Sequence, residues 1–217
     1  LAGILALAGP SWQMQASPFS EDQAAMFIVV KVTPQMLAQD IQPSRLQRSV
    51  QKIHDLLELR NDIRSGLIAY AGSAHLVMPL TSDNGVINSF AAALEPGIMP
   101  VEGDEPAEAI ELASRRLKDA AVPGSIVLIT DSVDTSQLSE LETIHKNAAI
   151  DVHILAMAAG TDVIPPPGSY PAPALDLDSL KKAAKAMGGT VTTVTPDKRD
   201  VDELSARIER SISHVPA

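Results

Sequence analysis

Three short, almost wholly apolar runs constrain this chain more than any other feature: residues 26–32 (MFIVVKV), 125–130 (SIVLIT) and 151–157 (DVHILAM). Successive side chains of a strand point to opposite faces of the sheet, so a strand with one wet face alternates apolar and polar residues. Runs that do not alternate must be covered on both faces, as the strands of a parallel sheet are when helices pack on either side. The intervening segments supply the helices. Pro43-Ser44 opens one with Leu46, Val50, Ile53 and Leu57 on a single face, and His54 is expected at its boundary. Residues 83–94 form a second, with Ile87, Phe90, Ala91 and Leu94 inward and Pro96-Gly97 as the stop. Gly103-Asp104-Glu105-Pro106 opens a third, and residues 136–147 a fourth. A fifth covers residues 177–187, with Gly188-Gly189 as its C-cap. The last buries Leu204, Ile208 and Ile212 at spacing four.

Repeated strand–helix units predict an α/β fold: a doubly wound, mostly parallel central sheet with helices on both faces. The runs 66–70 (GLIAY) and 75–78 (HLVM) are joined by four residues, which suits a hairpin and adds one antiparallel edge strand. Residues 190–195 read as a β-branched edge strand. With 217 residues, the length suits a single domain. Residues 24–217 are assigned to it, 13–23 to a linker, and 1–12 (starting LAGILALAGP) to the end of a membrane helix. The same N-terminal run also fits a signal peptide remnant.

A formal net charge of -10 excludes a nucleic-acid binder, which needs a basic face to attract phosphate. The absence of cysteine removes disulfides, thiolate metal sites and a cysteine nucleophile. The five histidines make no close ligand pair, and no nucleophile elbow, phosphate loop or dinucleotide fingerprint follows a strand. Ser132 has no histidine beside it in sequence and reads as a loop hydroxyl. Asp176 and Asp178 read as helix N-terminal carboxylates rather than a catalytic pair. No catalytic residue and no cofactor are expected.

In sheets of this kind ligands bind at the carboxyl ends of the strands, where the strand order reverses. That directs attention to Lys31, Thr33, Gln35, Asp104, Glu105 and residues 131–134. The proline-rich segment 164–173 (IPPPGSYPAP) follows a strand and should overhang the same face as a stiff loop presenting Tyr170.

At these residues the chain resembles von Willebrand factor A-type (VWA) domains, and specifically the bacterial Bat (aerotolerance operon) proteins. The stretches ALAGP (6–10), PSRLQR (43–48), KIHDLLE (52–58), GLIAYAGSAHLVMPLTSD (66–83), IVLITD (126–131) and GGT (188–190) carry that resemblance. It implies a metal-ion-dependent adhesion site, in which Asp-x-Ser-x-Ser, a Thr and an Asp hold Mg²⁺ and a partner's carboxylate completes the coordination. Here Lys31 stands for the leading Asp, Thr33 and Gln35 for the two Ser, and Asp104 for the Thr, while Asp131 is retained. An ammonium group offers three donors and no acceptor, so Lys31 cannot ligate a metal. Lys31 is therefore expected to pair with Asp131, and also with Asp104, as a built-in cation. The alternative is a rearranged Mg²⁺ site using Thr33, Asp104 and Asp131; an α/β hydrolytic enzyme on the same face is the third reading. Thr33, Gln35, Asp104, Asp131, Ser132, Asp134 and Tyr170 are the expected partner-binding face. The resemblance implies an inner-membrane protein with this domain in the periplasm. Its implied partners are other VWA and TPR proteins and a MoxR-type AAA+ ATPase.

Overall fold

The computed structural model describes residues 24–213, so the expectations for residues 1–12 and 13–23 lie outside the described residues. Six strands and six α-helices follow one another in the order β1 (Ala25–Lys31), α1 (Arg45–Leu59), β2 (Arg64–Tyr70), β3 (Ala74–Thr81), α2 (Asn84–Ala92), α3 (Pro106–Ala120), β4 (Gly124–Thr130), α4 (Leu138–Ala148), β5 (Val152–Ala156), α5 (Leu177–Ala186), β6 (Val191–Thr193) and α6 (Arg199–Ser213). They build one sheet in the order β3-β2-β1-β4-β5-β6. All neighbours are parallel except β2 and β3, the expected hairpin.

The period of two in β1 sorts its side chains onto two cores. Met26, Ile28 and Val30 pack with Leu46, Ile53 and Leu57 of α1, Ile87 of α2 and Leu204 and Ile208 of α6. Phe27 and Val29 pack on the other face with Ile110 and Leu117 of α3, Leu141 of α4 and Leu180 of α5. Each such side chain removed from water stabilises the fold by about 1.5–3 kcal/mol before entropy is counted, which is why no face of β1 tolerates alternation. One helix-face expectation needs correction. Phe90 is 45% exposed, because it sits at the edge of the narrow stripe that Ile87 and Ala91 bury. His54 lies at the boundary of α1 with its side chain about half exposed, its ring nitrogens facing Asn88 and Glu58.

Helix starts follow the sequence chemistry. Ser44 accepts the Gln47 N–H, Asp83 the Val86 N–H and Asp176 the Ser179 N–H, each satisfying an otherwise orphaned donor. Pro106 occupies the first turn of α3, where its missing N–H costs nothing. The chain leaves β1 toward β2 and β3 on one side and returns through α2 and α3 to place β4 on the other. Strand order therefore reverses between β1 and β4, and the crevice lies at their carboxyl ends, beside Lys31 and Asp131.

Candidate functional site

Lys31 is the last residue of β1 and is completely buried. Its Nζ lies 2.6 Å from Asp104 Oδ2 and 2.8 Å from Asp131 Oδ1, and it donates to Ser132 Oγ at 3.1 Å. Three acceptors match the three protons of an ammonium, so its donor capacity is fully used. Ser132 in turn donates to Asp131 Oδ1 at 3.1 Å. The pairing expected of Lys31 with both carboxylates is thus present.

A second buried cation, which the sequence reading did not single out, completes the cluster. Arg45 opens α1 with its side chain 1% exposed. Its Nη1 donates to Asp131 Oδ2 at 2.8 Å, while Nε and Nη2 grip the two oxygens of Asp40 at 2.8 and 2.7 Å. Nη2 also donates to the Pro173 carbonyl at 2.7 Å. A planar guanidinium forks in this way and an ammonium cannot. Asp131 therefore bridges Lys31 on one oxygen and Arg45 on the other. The signal was available: a cation in the first turn of a helix opposes the dipole, and Arg45, Ser49, Lys52 and Ile53 share the buried face. Such an arginine needs carboxylates nearby.

Local backbone geometry delivers each group. Asp131 follows directly from β4, and Asp104 arrives on the loop before α3. That loop is stitched to the β2–β3 turn by Gly72 N–H to Val101 O at 3.0 Å and Glu105 N–H to Ala71 O at 2.8 Å. The crossing is too close for side chains: a Cβ on Gly72 would stand 2.2 Å from the Glu102 carbonyl oxygen, and Gly103 adopts φ +146. Gln137 Nε2 secures the turn further by donating to the Asp104 carbonyl at 3.0 Å. The proline-rich loop is tied down by Arg45, by Gln39 N–H to Ser169 Oγ at 2.9 Å, and by Ala159 N–H to Asp40 Oδ2 at 2.9 Å. It overhangs this face as expected, with Tyr170 and Ile164 exposed.

Two cations face three carboxylates, so the ionised cluster carries one net negative charge. Burial pushes the Asp104 carboxyl above its ordinary value; Lys31 pulls it down without cancelling that effect, and Asp131 and Glu105 push it further up. Burial also raises Asp40, but the Arg45 guanidinium and the Ala159 N–H outweigh it and the net shift is downward. The buried Tyr70 phenol is held well above its usual range by desolvation, then by Asp104 and Asp131; it donates to Thr130 Oγ1 at 3.2 Å.

Of the expected face, Asp104, Asp131 and Ser132 converge, each in contact with Lys31. Thr33 is buried beside them, yet its Oγ1 has no hydrogen-bond partner, and neither does Asp104 Oδ1. Gln35 is exposed in the 3-10 turn after β1 and stays outside the cluster. Asp134 is exposed and caps the next turn by accepting the Ser136 N–H at 2.8 Å. An ammonium nitrogen stands within hydrogen-bond distance of both carboxylates that would have to ligate a Mg²⁺ ion, and Mg²⁺ requires near-octahedral oxygen. Among the described residues no group of three or more His, Asp or Glu side chains is disposed to hold a metal.

Comparison with known proteins places this architecture. A Borreliella burgdorferi protein is 28% identical over 162 residues, covering 73% of this chain and 47% of its own length. The chain thus spans about half of that relative. Among solved structures, the conserved hypothetical protein BatB from Bacteroides thetaiotaomicron superposes with a TM-score of 0.74 at 23% identity, over 88% of this chain and 99% of that one. An aerotolerance-related membrane protein from Bacteroides fragilis gives 0.73 at 24% identity, over 88% and 98%. Residues 26–133, from β1 through Asp131 to Val133, match the von Willebrand factor type A domain model, and the chain belongs to the von Willebrand factor type A domain family.

Proposed function

We propose that this is a non-catalytic protein-interaction domain of a Bat-like, membrane-anchored protein, and that it engages its partner without a divalent ion. VWA domains are in general interaction modules. The observation that carries the metal-free part is the Lys31 ammonium lodged between Asp104 and Asp131, where a family ligand set would place Mg²⁺. A binding role for the face draws support from its exposed apolar side chains. Leu37, Ile98, Val101, Val163, Ile164 and Tyr170 all lie in loops at the carboxyl ends of the strands, and surfaces of this kind mark interaction sites.

The solved Bacteroides fragilis relative is described as an aerotolerance-related membrane protein. On that likeness we assign this domain to the periplasmic side of an inner membrane, working beside other VWA and TPR proteins and a MoxR-type ATPase. No described helix is long and apolar enough to cross a membrane. A rearranged Mg²⁺ site is the second reading. It draws on the unpartnered Thr33 Oγ1 and Asp104 Oδ1 oxygens. Partner capture from a membrane extract, with and without Mg²⁺, tests the choice. Our reading expects equal capture in both conditions and loss when residues 164–173 are deleted; capture that requires Mg²⁺ favours the second.

A further inference from the structure

The resemblance to metal-bearing adhesion sites implies an acidic side chain from the partner. We propose that this domain, resting on the metal-free reading above, takes a basic one: a lysine or arginine flanked by apolar residues, received in the cavity beside Thr33.

Neither cation of the cluster is available to a partner. Lys31 is wholly buried with its three protons spent on Asp104, Asp131 and Ser132. Arg45 is equally buried and spends its fork on Asp40, Asp131 and the Pro173 carbonyl. Of the cluster's members Asp104 is the one nearest solvent, its side chain 33% exposed with Oδ1 covered. The surrounding loops have the same sign. Residues 32–44, 93–105, 131–137 and 157–176 contain no lysine, arginine or histidine, while Glu95, Glu102, Asp104, Glu105, Asp134 and Asp162 lie within them. A partner carboxylate would meet like charge without a metal or a free cation to offset it, and like-charge juxtaposition works against complex formation.

An independent observation marks where a basic side chain would enter. A cavity of about 300 Å³ opens beside the cluster, walled by Pro34, Pro96, Met99 and Val101 and lined also by Thr33 and Glu102. It lies at the small end of ligand-pocket sizes, roughly 300–1,000 Å³, which suits one long side chain rather than a cofactor. Thr33 is 5% exposed, and its Oγ1 has no partner. A covered hydroxyl left unsatisfied on a cavity wall can accept from a donor that a small shift of the wall admits. Lysine and arginine bury their methylene stems along apolar walls and carry only donors at the tip. The stem would run along Pro34, Pro96 and Met99, with the head between Thr33 Oγ1 and the Glu102 carboxylate.

The test is an amide NMR titration of the 217-residue chain with a blocked tripeptide carrying arginine between two leucines. The same peptide with glutamate at the centre is the control, and Mg²⁺ is titrated separately. Saturable shifts at Thr33, Ala71 and Gly103 with the arginine peptide alone, weakening as salt is raised, are expected. Thr33→Val should weaken binding about 10- to 100-fold, the equivalent of one hydrogen bond to a charged group. Glu102→Gln should weaken it about 2- to 5-fold, as for an exposed charge pair. Equal or tighter binding of the glutamate peptide overturns the proposal, as do arginine-peptide shifts that are absent or map elsewhere. Saturable Mg²⁺ shifts at Lys31 and Asp131 would overturn the metal-free reading itself. Silence to both Mg²⁺ and the arginine peptide would leave that reading standing and remove only this inference.

Discussion

Replacing Lys31 with methionine keeps the length of the side chain and deletes its charge. Asp131 retains Arg45 Nη1 at 2.8 Å and the Ser132 hydroxyl, whereas Asp104 Oδ2 loses its only side-chain donor among the described residues. Removing one member of a buried ion pair costs about 3–5 kcal/mol, mostly for the charge left behind. Because Asp131 stays paired and Asp104 is one-third exposed, the low end, about 3 kcal/mol, is expected. With an m-value of about 3 kcal/mol/M in urea for a domain of this size, the unfolding midpoint should fall by roughly 1 M.

The sign of the pH dependence follows from Asp104. Its folded pKa is raised, so between its unfolded value and the raised one the native state binds more protons than the unfolded state. Stability contributed by this group therefore falls as pH rises through that window. Losing Lys31 raises the carboxyl further, so the deficit of Lys31→Met should be widest near neutrality and shrink on the acid side. Adding Asp104→Asn should recover part of the loss, with a coupling of about 1–3 kcal/mol in a double-mutant cycle. A single-variant midpoint within about 0.2 M of the parent, well under 1 kcal/mol at that m-value, would refute the electrostatic account of Lys31.

Other outcomes follow from the same contacts. Arg45→Lys cannot reproduce the fork to Asp40, Asp131 and Pro173, so limited proteolysis within residues 160–173 should accelerate while the strand amides keep their protection. Gly72→Ala places a Cβ against the Glu102 carbonyl; a loss of about 1–3 kcal/mol in chemical unfolding is expected, with amide shifts at Asp104 as its loop is pushed off Lys31. His153, hydrogen-bonded to Thr190 Oγ1 and Ser211 Oγ, has its pKa lowered by burial to about 4. It should stay neutral in an NMR titration until about that pH. Its stabilising contribution is complete above the unfolded value near 6.5 and is lost as pH falls toward 4, so His153→Gln should flatten the stability profile across that window.

The sequence was most legible where chemistry is local. Apolar runs without alternation identified β1, β4 and β5 as doubly covered strands, and the four-residue connection identified the β2–β3 hairpin. The reciprocal change at Lys31 and Asp104, a cation for an acid and an acid for a neutral group, pointed to their pairing. What remained hidden depended on contacts distant in the chain. Arg45 and Asp40 are five residues apart, but their meeting with Asp131 and Pro173 needs the whole sheet to be assembled. The same holds for Lys52, whose Nζ lies 2.7 Å from Asp200 Oδ1 and ties α1 to the start of α6. Gln35, in register with a metal ligand along the chain, is turned to solvent by the 3-10 turn from Pro34 to Leu37 and stays outside the cluster. Phe90 misled because the buried stripe of α2 is narrow: Ile87 and Ala91 fill it and leave Phe90 at its edge.

The central claim is that the Lys31 ammonium holds the place a divalent ion would need. Calorimetric titration of Mg²⁺ into the chain, beside the Lys31→Asp variant, tests it most directly. The account predicts no saturable heat for the parent chain through the millimolar range. A single-site isotherm of millimolar affinity or tighter in the parent, unchanged by Lys31→Asp, would contradict it.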